Sequence, residues 1–256
     1  VDAAAYLPDP ARAPVVVSLH LPPGWYPKAL LARGDLRLVP VSRSQAAAAP
    51  PGARLSEPIP NGVDLHGWPD RPRSDRLLML GRICPEKGQA LALEAARRVD
   101  APLDLAGEVF AYAAHRDYFE REVKPRLDAR RRFVGPLSGA AKRAAIAEAR
   151  AVLIPSLAPE TASLVAMEAA AAGTPVVAFA RGALPETVEH GVTGFVVEDL
   201  DGMVAALSRL DEIKPSVCRA RARARFDRRV MTDRWMALYA ALAGAEGEVH
   251  GRLARA

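Results

Sequence analysis

"IPSLAPETASLVAMEAAAAGTPVVAF", Ile154 to Phe179, reads as a strand end, a loop, a helix, a turn and a second strand. The apolar run that begins at Ala151 stops at Pro155 and Ser156, since proline offers no N–H to a sheet ladder. Ser163 to Ala172 is rich in strong helix formers, and Gly173 stands where a helix C-terminus calls for positive φ. Pro175 to Phe179 then forms another buried strand. A strand–helix–strand unit of this kind builds a parallel sheet. Two carboxylates interrupt the apolar setting, Glu160 in the loop and Glu168 inside the helix. By themselves they are a surface acid and the wet face of a helix, or else part of a ligand site. Loops after the carboxyl ends of parallel strands are where such sheets bind ligands.

Working outward, the same alternation continues on both sides. Strands are expected at "RLLMLG" (76–81), "PLDLAG" (102–107), "RRFVG" (131–135), "AVLIPS" (151–156), "PVVAF" (175–179) and "GFVVE" (194–198). Helices are expected over 89–98, 112–129, 141–149, 163–172, 185–190 and 201–210. Near-continuous apolar strands joined by helical crossovers demand a twisted parallel sheet covered on both faces. Upstream, "PVVVSLH" (14–20) and "LRLVPVS" (36–42) read as strands, with a short helix in "WYPKALLAR" (25–33) and another after Ser42, a candidate N-cap. Asn61-Gly62 marks a turn, and the polar, proline-containing segment 66–75 a boundary. "VCRARARARFDRRVMTDRWMALYAAL" (217–242) reads as one amphipathic helical segment with an arginine face. The expected division is 1–68 as a partial first domain, 69–228 as the regular α/β domain, and 229–256 as a C-terminal helix packing back across the boundary.

Composition narrows the function classes. Half of the 256 residues are apolar and a quarter are charged, which suits a globular protein with a sizeable core. The net charge of +5 is modest, aromatics make up 5%, and no nucleic-acid module is present, so nucleic acid is not an expected partner. Cys84 and Cys218 lie in no metal-ligand spacing, and the five histidines are scattered; no metal and no cofactor are expected. Without a secretory signal or a membrane-length apolar run, a cytoplasmic location is expected. The arginines between 219 and 229 allow weak peripheral contact with an anionic membrane.

"LMLGRICPEKG" (78–88) carries the second local signal. A strand ends at Gly81, and Arg82 and Lys87 bracket a turn that runs into a helix. Two cations beside free backbone N–H groups can grip a diphosphate, Arg as a rigid fork and Lys as a mobile point charge. Gly81 permits close backbone approach and Gly88 opens the helix. The loop has neither the Walker A nor the GxGxxG spacing. On these residues alone, two solvated surface cations are an equal reading.

"IPNGVD" (59–64), "GRICPEKG" (81–88), "LAGE" (105–108), "FVGPL" (133–137), "AVLIPS" (151–156), "ETASLVAME" (160–168), "AAGTPVVA" (171–178), "ALPE" (183–186) and "GVTGFVVED" (191–199) follow one another in a definite order. In that order and spacing the chain resembles the retaining nucleotide-sugar glycosyltransferases of the GT-B fold, family 4-like, from about Val15 onward. The resemblance implies an α/β fold of two Rossmann-like domains. The first of them is expected to be truncated, because its opening βαβ units and Gly-rich turn are missing and the sequence starts at Val1.

The resemblance also assigns roles. Arg82 and Lys87 match the pair that holds the donor diphosphate. Glu168 matches the acid that accepts the nucleotide ribose hydroxyls, and Glu160 the acid near the donor sugar. The amides of Ala162, Ser163, Leu164 and Val165 are implied at phosphates and sugar, and Gly135, Pro136 and Leu137 beside the base. His20 sits where such first domains carry a histidine near the reacting sugar. Three departures stand out: Thr161-Ala162-Ser163 replaces the usual Pro-Phe-Gly, Arg181 replaces the glycine before Gly182, and the first domain is short. The implied activity is metal-independent hexosyl transfer from a nucleotide-diphosphate sugar to an unidentified hydroxyl acceptor. A nucleotide-sugar-binding module that has lost transfer, and a nucleotide-sugar epimerase or hydrolase, are the alternatives.

Overall fold

The computed structural model describes residues 7–8 and 13–253. It is an α/β protein with two Rossmann-like domains. The first contributes two parallel strands, β1 (Val15–Leu19) and β2 (Leu36–Pro40), in the register Val15 to Leu36 through Leu19 to Pro40. The short helices α1 (Lys28–Leu31) and α2 (Arg43–Ala47) accompany them. Ser42 caps α2 as its sequence suggests, its hydroxyl accepting from the Gln45 amide at 3.0 Å. Val15, Leu19, Leu30, Leu31, Leu36 and Leu38 form a small core of their own.

The second domain is a six-stranded parallel sheet. Its strands are β3 (Leu77–Leu80), β4 (Leu103–Ala106), β5 (Arg131–Gly135), β6 (Ala151–Ile154), β7 (Val176–Phe179) and β8 (Gly194–Val197), in the order β5-β4-β3-β6-β7-β8. The direction of growth reverses between β3 and β6, which opens a crevice at their carboxyl ends. β6 and β7 are buried at every position, whereas β5, at the edge, alternates between partly covered and exposed. Successive side chains serve opposite faces. Leu77, Met79, Leu153 and Val177 share one core with Leu93 of α3 (Gln89–Arg98) and Met203 of α8 (Leu200–Leu207). Leu78, Val152, Ile154 and Val176 share the other with Ile146 of α5 (Gly139–Glu148) and Ala169 of α6 (Leu164–Ala172).

The helices expected over 25–33 and 185–190 shorten to Lys28–Leu31 and Leu184–Thr187, and two others differ more. Over 112–129, α4 spans only Ala113–Tyr118, followed by a wide π turn (Phe119–Val123) and a 3-10 turn (Lys124–Arg126). Pro125 has no N–H to continue the i to i−4 ladder, so the last turns are rewound around it. The single helix expected over 217–242 is two: α9 (Pro215–Arg225) and α10 (Arg228–Leu253), with the short α7 (Leu184–Thr187) lying earlier in the chain. The break has a cause. Phe226 is buried, its carbonyl accepts from the Val63 amide at 2.8 Å, and the Arg228 amide donates to the Val63 carbonyl at 3.1 Å. Asp227 then caps the new helix by accepting from the Arg229 amide at 2.9 Å. Most of the tail arginines with defined contacts are tied in place: Arg221 and Arg225 both reach Glu189, and Arg228 reaches Asp64. Among the described residues no helix is long and apolar enough to cross a membrane.

Candidate functional site at the carboxyl edge of the sheet

The loops after β3, β4, β5, β6 and β7 emerge on one edge. The turn after β3 is held from three sides. The Ile83 amide donates to the Glu108 carbonyl (3.0 Å), Gln89 Nε2 to the Arg82 carbonyl (2.6 Å), and the Leu157 amide to the Glu86 carbonyl (2.8 Å). Gly88 has φ 72°, and a Cβ there would lie 2.2 Å from the Pro155 carbonyl oxygen. Only glycine lets the turn press this closely against the end of β6. At Gly81 a Cβ would meet nothing within 4 Å, so its backbone faces open space.

This packing brings two of the candidate residues into contact. Lys87 Nζ donates to Glu160 Oε1 at 2.5 Å, and Ser156 Oγ donates to the same oxygen at 2.5 Å. The carboxylate is 13% exposed and the ammonium 28%. A carboxylate so covered needs such donors, because an unpaired buried charge is costly. Arg82 is exposed at the mouth of the turn and pairs with no carboxylate among the described residues. Burial pushes the Cys84 thiol up to about 11, and neighbouring Glu86 adds to the shift.

Glu168 is met from a different direction. Its Oε1 accepts from Lys142 Nζ of α5 at 2.7 Å, with 18% of the carboxylate side chain exposed. Glu168 and Lys142 thus form a pair between α6 and α5. Lys142 stands in the first turn of α5, which follows the loop Gly135-Pro136-Leu137. Within the loop Pro136 is exposed, while Leu137 packs against the core that contains Leu78 and Ile146. Neither Lys142 nor Ser156 was evident from the sequence. One signal was available: the sequence holds 35 Lys and Arg, and only Lys28, Lys87, Lys124, Lys142 and Lys214 among them are lysines. Two of those five meet the two candidate acids.

The start of α6 carries the third component. Ser163 caps it, its hydroxyl accepting from the Ala166 amide at 3.3 Å. The Leu164 and Val165 amides have no protein acceptor among the described residues, and with half-buried Ala162 they form the helix end that favours anions. Thr161 compensates for the departure from Pro-Phe-Gly by donating from its hydroxyl to the His20 carbonyl at 2.9 Å. His20 is thereby drawn to the same place, with Nε2 3.0 Å from Ser18 Oγ. A cavity of about 580 Å³ opens here, lined by His20, Asn61, Leu164, Met231, Trp235 and Tyr239 among others. Gly182, at φ 60°, lies so close to this loop that a Cβ would sit 2.2 Å from the Glu160 carbonyl oxygen. Arg181 turns to Glu198, at 3.4 Å. Glu186, the acid of "ALPE", reaches the first domain and accepts from the Arg43 and Ser44 amides at 3.0 and 2.5 Å.

The pattern of the family described as "Glycosyl transferases group 1" matches residues 74–212. The chain is 36% identical over 207 residues to a glycogen synthase of Mycobacterium tuberculosis, covering 75% of this chain and 48% of that protein. It is 33% identical over 202 residues to a phosphatidyl-myo-inositol mannosyltransferase of Mycolicibacterium smegmatis, covering 73% and 52%. The chain thus spans about half the length of the curated relatives it matches. Among solved structures, Anabaena HepE in complex with UDP-glucose superposes with a TM-score of 0.77 at 21% identity, covering 91% of this chain and 73% of that one. AviGT4, a glycosyltransferase involved in avilamycin A biosynthesis, gives 0.68 at 28% identity, covering 81% and 64%. With its sheet order, its crevice loops and these likenesses together, the chain belongs to the group 1 glycosyl transferases, with the two-domain GT-B fold.

Proposed function

We propose that the chain transfers a hexosyl group from a nucleotide-diphosphate sugar to a hydroxyl acceptor, with retention at the anomeric carbon. The observation that carries this reading is the Lys87–Glu160–Ser156 cluster, which stands four residues before the open amides of α6. In it, Arg82, Lys87 and the Leu164 and Val165 amides take the diphosphate. They neutralise the charge that develops as the sugar leaves, which is electrostatic stabilisation of the leaving group. That is the task a divalent cation would otherwise perform, so the transfer needs none at the diphosphate. Glu168 receives the ribose hydroxyls, the 135–137 loop flanks the base, and Glu160 orients the sugar hydroxyls.

Glu160 already accepts from Lys87 and Ser156, so it is poorly suited to act as a nucleophile in a double displacement. Attack by the acceptor on the face that the diphosphate leaves accounts for retention without a covalent intermediate. The acceptor enters the cavity beside His20, whose side is completed by Trp235 and Tyr239. The named relatives act on a polysaccharide and a phospholipid by their names, and a structural neighbour was solved with UDP-glucose. A hexosyl donor fits all of these, whereas the acceptor differs among them.

The test is the double variant Arg82→Ala, Lys87→Ala, assayed for donor-dependent transfer with UDP-, GDP- and ADP-sugars. Loss of one such donor group typically costs about 10²–10³ in turnover. Transfer is expected to vanish while circular dichroism stays unchanged. Near-normal turnover would overturn the assignment. Tight donor binding by the parent chain without any acceptor-dependent nucleotide release would favour a binding module instead.

A further inference from the structure

Three ligating side chains that the transfer chemistry does not use meet at the turn after β3. Cys84, Glu86 and His115 each bring one donor atom, and these atoms all lie within 4.8 Å of one another. Cys84 and Glu86 come from the turn itself, His115 from the first residues of α4. Cys84 is 0% exposed and His115 9%.

The histidine is the unusual member. His115 Nδ1 is buried and has no hydrogen-bond partner among the described residues. Such an atom is costly unless something meets it. Its aromatic neighbours do not meet it: the Phe110 ring has no polar atom and the Tyr112 hydroxyl makes no bond to it, at centroid distances of 6.3 and 5.2 Å. A second buried side-chain atom without a partner among the described residues, Gln89 Oε1, belongs to the residue that opens α3 directly after the same turn. Gln89 Nε2 donates to the Arg82 carbonyl, and the Cys84 thiol approaches the same oxygen at 3.7 Å.

The chemistry of the set selects the ion. A thiolate, an imidazole and a carboxylate suit a borderline-soft cation in four-coordinate geometry, with water as the fourth ligand. Calcium and magnesium ask for oxygen alone. We propose that Cys84, Glu86 and His115 bind one zinc-class divalent cation, which pins the 84–87 turn to the start of α4. On binding, the Cys84 S–H bond breaks, its proton passes to solvent and a sulfur–metal bond forms, with no change of oxidation state. One thiolate and one carboxylate balance the double charge. Because Lys87 follows Glu86 directly, fixing the ligands also fixes the cation of the candidate donor site. The cation acts on that turn and takes no part in bond-making.

Cobalt reports on such a site directly. The whole chain, stripped with a chelator, is titrated with Co²⁺ and then with Zn²⁺. One equivalent of Co²⁺ is expected to give thiolate-to-metal charge transfer and intense tetrahedral ligand-field absorption, both erased by one equivalent of Zn²⁺. Cys84→Ser should remove the charge-transfer band, and Cys218→Ser should leave it unchanged. Glu86→Gln and His115→Ala should each weaken binding by about tenfold or more. Glu86 is exposed, so its variant keeps the fold and the test if Cys84→Ser does not fold by circular dichroism. Absence of the band in the parent chain would overturn the proposal, as would a band that survives Cys84→Ser. Affinity unmoved by both Glu86→Gln and His115→Ala would do the same. These readouts are independent of glycosyl transfer.

Discussion

Lys142→Met isolates what holds Glu168. The pair is 2.7 Å long, and its partners are 33% and 18% exposed. A fully exposed ion pair contributes about 0–1 kcal/mol, whereas breaking a fully buried one costs about 3–5 kcal/mol. With the carboxylate mostly covered, about 2 kcal/mol is expected. Methionine keeps the aliphatic stem, so little packing is lost. In a domain of this size each kcal/mol moves Tm by about 2–4 °C, giving a fall of about 4–8 °C in a thermal melt. If Glu168 receives the ribose, its loss of orientation should raise the donor KM about tenfold, equal to about 1.4 kcal/mol. The acceptor KM should stay within about twofold, since no acceptor group touches the pair in this reading. Glu168→Gln and the double variant close a cycle whose coupling should be about 1–2 kcal/mol. A Lys142→Met protein that melts within about 1 °C of the parent with an unchanged donor KM would refute the reasoning.

Three further outcomes follow from the same geometry. Gly182→Ala places a Cβ 2.2 Å from the Glu160 carbonyl oxygen at a φ of 60°; a loss of about 2–4 kcal/mol by urea titration is expected, with transfer reduced as Glu160 shifts. Thr161→Val removes the 2.9 Å bond to the His20 carbonyl and should cost about 1 kcal/mol, with the cavity beside His20 becoming more accessible to a surface probe. Cys218, buried between α9 and the sheet, has its thiol pushed up to about 11 from 9.0, chiefly by burial. Its folded value exceeds the unfolded one, so its contribution is present below about pH 9 and is lost as pH rises to about 11. Melting of the parent chain should therefore fall more steeply over that interval than melting of Cys218→Ala.

The strands of the second domain were legible because each is a short, mostly apolar run bounded at one end by Gly or Pro, the paired arginines of Arg131–Gly135 apart. Gln89–Arg98 and Arg131–Gly135 match the expected bounds residue for residue. What escaped depended on the third dimension. Pro125 rewinds the end of α4 by an amount that no periodicity reports. Phe226 and Asp227 look like two more positions of one helix until Val63 arrives to pair with them. In retrospect Asp227 is a favourable N-cap, a signal masked by the arginines around it. At the site, Glu160 and Lys87 were readable as candidates, but their contact was not. It arises because β3 and β6 are neighbours in the sheet although 73 residues separate the two side chains. Lys142 was hidden for the same reason: on its own helix it is one more polar residue in an alanine-rich run.

The meeting of Val63 with Phe226 and Arg228 has a mechanical consequence. A Cβ at Gly62 would lie 2.5 Å from the Arg228 Cα, so the two chain segments touch where they pass between the domains. Residues 62–63 and 226–228 therefore run side by side as two ties. Two such ties side by side resist twisting more than a single strand of chain would. α10 also reaches the β1 side, where Met231, Trp235 and Tyr239 line a cavity with Val16 and Ser18.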